Sequence, residues 1–130
     1  MKYNNTFNVL YPLGHAYWAL SDNLAGQNLY DYALQAEVKP TKKSAVTAAY
    51  HWFSLASNGD RAYNVAGVPV GMPGNGRNLG HALDLYGYYA FNPNFDIQTG
   101  YSWFWYGTFI ENTTPRGDAT QFYMQTSFRY

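Results

Sequence analysis

The sequence contains no cysteine, which excludes disulfide bonds, thiolate metal sites and thiol catalysis. Charged residues are also scarce, at 12% of the chain, whereas an average soluble domain has about one quarter. The net charge is zero, so the electrostatic signature of a nucleic-acid-binding protein is missing. No apolar run approaches the roughly 20 residues that a transmembrane helix requires. A nucleic-acid partner and a helical membrane span are therefore not expected.

Motifs for catalysis or metal binding are missing too. The three histidines are far apart and match no metal-ligand spacing. There is no Gly-x-Ser-x-Gly motif of a serine hydrolase. Asp84 and Asp96 could pair as acid and base across neighbouring strands, but carboxylates that line a wet channel are the simpler interpretation. We therefore expect no enzyme activity, no metal and no cofactor.

Aromatic residues are abundant instead, at 20% of the chain. A protein surface with many aromatic and few charged residues would be poorly solvated in water. The lipid-facing band of an outer-membrane barrel, which aromatic girdles flank, requires this composition. In the last stretch Phe122, Met124 and Phe128 alternate with polar residues such as Gln125. Because successive side chains of a strand point to opposite faces, this stretch predicts a strand with one apolar and one polar side.

The same alternation recurs along the chain and predicts further strands. The predicted strands span about residues 29–39, 44–55, 81–92, 95–109 and 119–130, with a sixth, short strand at 7–12. The sequence therefore predicts an all-β fold: an antiparallel up-and-down meander of five to six strands that is part of a transmembrane β-barrel.

The connections between these strands alternate in length. The loops at about 13–27 and 57–80 are long and the one at 111–118 is intermediate, whereas 40–43 and 92–94 are short turns. Outer-membrane barrels have short periplasmic turns and longer external loops in this alternation. With the C-terminus on the periplasmic side, both short turns are predicted to be periplasmic, and the long loops are candidates for constricting a pore.

In this interpretation one face of each strand lines a lumen and the other meets lipid. The predicted lumen-lining residues are Asp31, Gln35, Glu37, His51, Asp84, Gln98, Phe104, Tyr106, Gln125 and Arg129. The predicted lipid-facing residues are Tyr30, Tyr32, Leu83, Leu85, Trp103, Trp105, Phe122, Met124, Phe128 and Tyr130. Within the lumen, Phe104 and Tyr106 with Phe53 and His51 form a hypothetical apolar track along which sugars could slide.

Several segments resemble a known family. Residues 7–12 (Phe-Asn-Val-Leu-Tyr-Pro), 14–17 (Gly-His-Ala-Tyr) and 21–29 (Ser-Asp-Asn-Leu-Ala-Gly-Gln-Asn-Leu) resemble the alginate-export-type family of outer-membrane barrels, and the closing residues 127–130 are similar too. The resemblance covers nearly the whole chain, but only the C-terminal part of a full family member. It implies a porin segment in the bacterial outer membrane for passive transport of polysaccharide or small polar solutes. A channel for polyanions should have a basic lumen, which the predicted strands do not supply.

Closed membrane barrels begin at eight strands, so we expect residues 1–130 to be the C-terminal segment of a larger barrel. Its partners are then outer-membrane lipid, a polar or sugar solute, and the remaining barrel strands, from the same longer chain or from other copies. Residues 1–6 have no features of a secretion signal, so such a signal is expected to have been removed or to lie in a longer chain. The alternatives are a soluble antiparallel β-sheet carbohydrate-binding module that uses the same aromatics, and a purely structural fragment.

Overall fold

The computed structural model describes residue 19 and residues 23–130. The short strand predicted at 7–12 and most of the loop predicted at 13–27 lie outside these residues. Among the described residues, no helix has the length and apolar character needed to cross a membrane.

A five-stranded antiparallel sheet forms the body of the structure, and its strands lie side by side in chain order. Its strands are β1 (Leu29–Thr41), β2 (Ser44–Leu55), β5 (Asn78–Asn92), β6 (Phe95–Tyr106) and β7 (Ala119–Phe128). The connection from β2 to β5 contains two short strands, β3 (Ala62–Tyr63) and β4 (Pro69–Val70), which pair with each other. The connection from β6 to β7 contains helix α1 (Thr108–Thr113). The prediction of an all-β antiparallel meander is confirmed.

Polar side chains close the two short turns. Between β1 and β2 the Thr41 hydroxyl lies 2.8 Å from the Ser44 hydroxyl and accepts a hydrogen bond from the Lys43 N–H at 3.1 Å. Between β5 and β6 the Asn92 side chain accepts a hydrogen bond from the Asn94 N–H at 2.9 Å, which is an Asx turn. Both turns lie at one end of the sheet, here called the short-turn end. The opposite end is the long-loop end.

Strand β6 ends earlier than the alternation predicts. Its last residue is Tyr106 rather than residue 109, because the chain turns into α1 immediately afterwards. The Gly107 carbonyl accepts hydrogen bonds from the N–H groups of Ile110 and Glu111, at 3.0 and 3.1 Å. Phe109 and Ile110 continue the apolar pattern of the strand in the sequence. In the structure they belong to α1, and both side chains are buried.

A small hydrophobic core lies at the long-loop end, on one face of the sheet. Loop and helix residues pack there onto strand residues, and we call this layer the apolar cap. The core contains Ala19, Leu24, Phe53, Leu55, Ala62, Leu79, Ala82, Phe104, Phe109 and Ile110. The cap is anchored by a hydrogen bond from the Ala25 N–H to the Tyr63 carbonyl at 2.8 Å. The long connection between β2 and β5 is therefore folded against the sheet.

Candidate functional site

The register of the sheet assigns every strand residue to one of two faces. Ala33, His51, Ala82, Phe104 and Ala119 form one row across the five strands. Alternation from this row defines a face rich in polar groups, called the polar face, and an opposite apolar face. The polar face carries nine of the residues predicted to line a lumen: Asp31, Gln35, Glu37, His51, Asp84, Gln98, Phe104, Tyr106 and Gln125.

Under the apolar cap, the polar face is a packed interior. His51 Nδ1 lies 2.9 Å from a carboxylate oxygen of Asp31, and the His51 ring stacks on Phe53 with centroids 5.5 Å apart. Phe53 in turn stacks on Phe104 at 5.6 Å. Phe53 and Phe104 are 0% and 1% exposed, so sugars cannot reach them. The hypothesis of an open apolar track through these rings is wrong for this arrangement, because loops and helix cover them.

Below the cap, a hydrogen-bond network crosses the middle of the polar face. Asp84 is fully buried and accepts hydrogen bonds from the hydroxyls of Ser102, at 2.5 Å, and Tyr86, at 3.3 Å. Gln98 donates to the Tyr123 hydroxyl at 2.9 Å. A buried carboxylate is stable only when such donors replace its hydration. The selection of lumen residues missed Ser102, Tyr86 and Tyr123, although their alternation places them on this face.

Nearer the short-turn end, the polar face is open. A groove of about 520 Å³, here called the polar groove, lies along β1, β2, β5 and β6. It is lined by Gln35, Glu37, Lys39, Ala45, Thr47, Tyr86, Gly87, Tyr88 and Gln98. Its carboxylate, on Glu37, pairs with Lys39 at 2.9 Å and accepts a hydrogen bond from Thr47 at 3.5 Å. The groove therefore offers amide, hydroxyl and aromatic surfaces, which suit sugar hydroxyls, and little unpaired charge.

Arg129 connects the end of β7 to the β5–β6 turn. Its guanidinium lies 2.9 Å from the Asp96 carboxylate and 3.4 Å from the Pro93 carbonyl oxygen. The backbone N–H of Arg129 donates to the Asn94 carbonyl, and the Asn94 side chain donates to the Arg129 carbonyl, both at 2.8 Å. Asp96 is buried, so the ion pair with Arg129 compensates for the hydration that its carboxylate loses.

We expect Arg129→Gln to lower the free energy of unfolding by about 1 kcal/mol, because it leaves the buried Asp96 carboxylate without its ion-pair partner. This loss is at the upper end of the values for solvent-exposed ion pairs. The matched control is Lys39→Gln, whose partner Glu37 remains well solvated, and whose loss should be about 0.5 kcal/mol or less. Urea unfolding in detergent micelles measures both. Equal losses would contradict the assigned role of Asp96 burial.

Residues of the apolar face are exposed or half-buried along its whole length. Leu34 is 77% exposed, Phe128 73% and Phe122 64%. The nine residues of β1, β5, β6 and β7 predicted to face lipid lie here: Tyr30, Tyr32, Leu83, Leu85, Trp103, Trp105, Phe122, Met124 and Phe128. Tyr130 lies beyond the end of β7 and is fully exposed.

Aromatic rings form a row near each end of the apolar face. At the short-turn end, Phe95 stacks between Phe91, at 4.9 Å, and Phe128, at 4.6 Å. At the long-loop end, the His81 ring lies between Tyr50, at 5.8 Å, and Trp105, at 5.0 Å. The band between the rows is mostly aliphatic and small, with the rings of Tyr101 and Phe122 in its middle. Its other residues are Ala36, Val38, Val46, Ala48, Leu85, Gly87, Ile97, Thr99 and Met124.

The described residues contain no cluster of three or more histidine, cysteine or acidic side chains that could hold a metal ion. The acid–base pairing considered for Asp84 and Asp96 does not fit the register. Asp84 lies opposite Ser102, whereas Asp96 lies opposite Ala90. The two carboxylates are thus six residues apart along β6, or about 20 Å.

The model of a family described as alginate export matches residues 2–124, which is nearly the whole chain. The search of curated proteins finds no match.

Proposed function

This chain belongs to the alginate export family, a family of outer-membrane polysaccharide transport proteins, and from this premise we propose that its sheet is a wall segment of a porin-like channel. The apolar face meets lipid, and the polar face lines the lumen. The C-terminus and the short turns lie on the periplasmic side of the bacterial outer membrane, and the long loops lie outside.

One observation carries the proposal: a largely aliphatic band, exposed or half-buried, lies between two aromatic rows. From Phe95 to Trp105 the chain runs ten residues along β6, or about 33 Å of extended strand. Allowing for strand tilt, this length is close to the apolar band of about 25 Å on transmembrane barrels, which aromatic girdles flank at both interfaces. A soluble protein rarely exposes so large a contiguous apolar surface.

The edges of the sheet support assembly with further strands. Strands β1 and β7 each have only one neighbour among the described residues. An open sheet edge is not tolerated in lipid, because its backbone N–H and C=O groups would lack hydrogen-bond partners. We propose that both edges pair with strands of the same longer barrel or of other copies of this chain.

The charges of the polar face favour a neutral or weakly charged solute. Asp31 is paired with His51, Glu37 with Lys39 and Asp96 with Arg129, so no basic track runs through this part of the lumen. A channel selective for polyanions requires such a track. We propose that the polar groove contacts sugar hydroxyls and that any selectivity for acidic polymers comes from other strands.

Reconstitution of the chain into phosphatidylcholine vesicles tests the proposal. We expect strand structure that forms only in lipid or detergent, an altered gel migration before heating, and efflux of a neutral oligosaccharide at least as fast as that of an oligouronate of equal length. Cooperative folding in plain buffer would overturn the membrane assignment and favour the soluble carbohydrate-binding module. Insertion with no efflux of either sugar would reject the channel while leaving the membrane wall intact.

A further inference from the structure

A second groove lies on the apolar face, at the long-loop end of β1, β2 and β5. It has a volume of about 530 Å³ and is lined by Tyr32, Trp52, Ser54, Arg77 and Asn78. We call it the aromatic groove. Tyr32 lies directly opposite Trp52 in the β1–β2 register, and Ser54 lies opposite Asn78 in the β2–β5 register. Two large rings therefore border a depression whose floor contains the small Ser54 side chain.

A β-bulge creates this depression. Phe53 pairs with Gly80 but Ser54 pairs with Asn78, so Leu79 is an extra residue on β5. Leu79 is buried in the core. The bulge thus turns Leu79 inward and brings Asn78 and Arg77 to the opposite side of the strand, beside the rings. Bulges commonly re-aim side chains in this way.

Arg77 is the charged residue of the groove. Its backbone carbonyl accepts a hydrogen bond from the Leu55 N–H at 2.9 Å, which anchors it to β2. Its side chain is exposed and has no hydrogen-bond or ion-pair partner among the described residues. The Asn78 side-chain oxygen accepts from the Gly80 N–H, which leaves the Asn78 NH2 group as a further donor. Donors thus lie at one end of a largely apolar groove.

If the apolar face meets lipid, as proposed above, this end of the groove lies at the headgroup level of the outer leaflet. An arginine at that depth is favoured when an anionic headgroup pairs with it. Guanidinium binds phosphate oxygens through two parallel hydrogen bonds. The two exposed rings, Tyr32 and Trp52, provide an apolar wall for an acyl chain next to that charge. A sugar ligand would stack on the two rings but would not need a cation on the lipid-facing side of the sheet.

We propose that the aromatic groove binds one phosphate-bearing lipid of the outer leaflet. Its acyl chain lies against Tyr32 and Trp52, and its phosphate is held by Arg77 with Asn78. This inference rests on the proposed membrane function. It assigns the groove a structural lipid rather than a transported solute.

The test uses the chain in phosphatidylcholine vesicles that contain a small fraction of lipid A, which carries phosphates, or the same fraction of its dephosphorylated form. Lipid retained per chain after mild detergent extraction is counted by native mass spectrometry. We expect the wild-type chain to retain one lipid A and to discriminate against the dephosphorylated form by about tenfold, the size of one charge-assisted hydrogen-bonded contact.

Two variants identify the residue responsible. Arg77→Gln should lose that discrimination, whereas Arg61→Gln, which removes a charge from an exposed loop residue outside the groove, should keep it. Equal retention by wild type and Arg77→Gln, or equal retention of both lipid forms by wild type, would overturn the lipid site even though the chain inserts. Failure of the wild-type chain to insert would overturn the proposed function and the lipid site together.

Discussion

Replacement of Ala36 by arginine is expected to lower the free energy of unfolding in vesicles by about 2–4 kcal/mol, the cost of a cation at the middle of the lipid-facing band of a barrel. Ala36 lies near the centre of β1 on the apolar face, opposite Ala48 of β2, and is exposed. An arginine there makes no clash and breaks no core contact. A large loss of stability can therefore come only from the medium that surrounds this face.

The matched control is Gln35→Arg, at the preceding residue on the opposite face. Gln35 lines the polar groove, so an arginine there stays hydrated and should change the unfolding free energy by less than about 0.5 kcal/mol. Urea titration of both variants in phosphatidylcholine vesicles, followed by tryptophan fluorescence, measures the difference. If the two substitutions cost the same, the apolar face does not meet lipid.

The second large effect is expected at Gly80. Its φ is +129°, and a Cβ built there would lie 2.1 Å from the Trp105 carbonyl oxygen. Gly80→Ala must therefore shift backbone in β5 or β6 and hold a strained dihedral as well. We expect a loss of about 3–5 kcal/mol, or no folded chain at all. The bulge that buries Leu79 and exposes Arg77 depends on this residue.

Gly117→Ala is the control for Gly80→Ala, because a Cβ at Gly117 would contact nothing within 4 Å. It should leave stability within about 0.5 kcal/mol of wild type. The fraction of chain that becomes resistant to protease in vesicles, together with the urea midpoint, measures both variants. A Gly80→Ala chain as stable as Gly117→Ala would mean that the backbone around the bulge differs from the one described.

Much of the fold can be predicted from alternation alone. In β2, Val46, Ala48 and Tyr50 alternate with Thr47 and Ala49, and a period of two determines which face each residue occupies once the strand forms. The short turns are equally local. Asn92 accepts a hydrogen bond from the backbone two residues on, which its residue type already favours.

The candidate site could be predicted only in part. Alternation indicates that Asp84 and Phe104 share a face, but it gives no information on what covers that face. Phe104 is buried because α1 and the long loop pack on it, and Asp84 is held by Ser102 from a strand 18 residues away in sequence. Phe109, which continues the strand pattern, belongs to a helix because the Gly107 carbonyl begins a new hydrogen-bond series.

The all-β meander, the two faces and the alternation of long and short connections can all be inferred from the amino-acid sequence, because each of these follows from local periodicity and turn chemistry. Three features could be seen only in the folded chain: the long loop folds inward as the apolar cap, a bulge at Leu79 opens the aromatic groove, and Arg77 lies beside Trp52. These features depend on contacts between residues far apart in the chain, and no local pattern specifies which distant side chains meet.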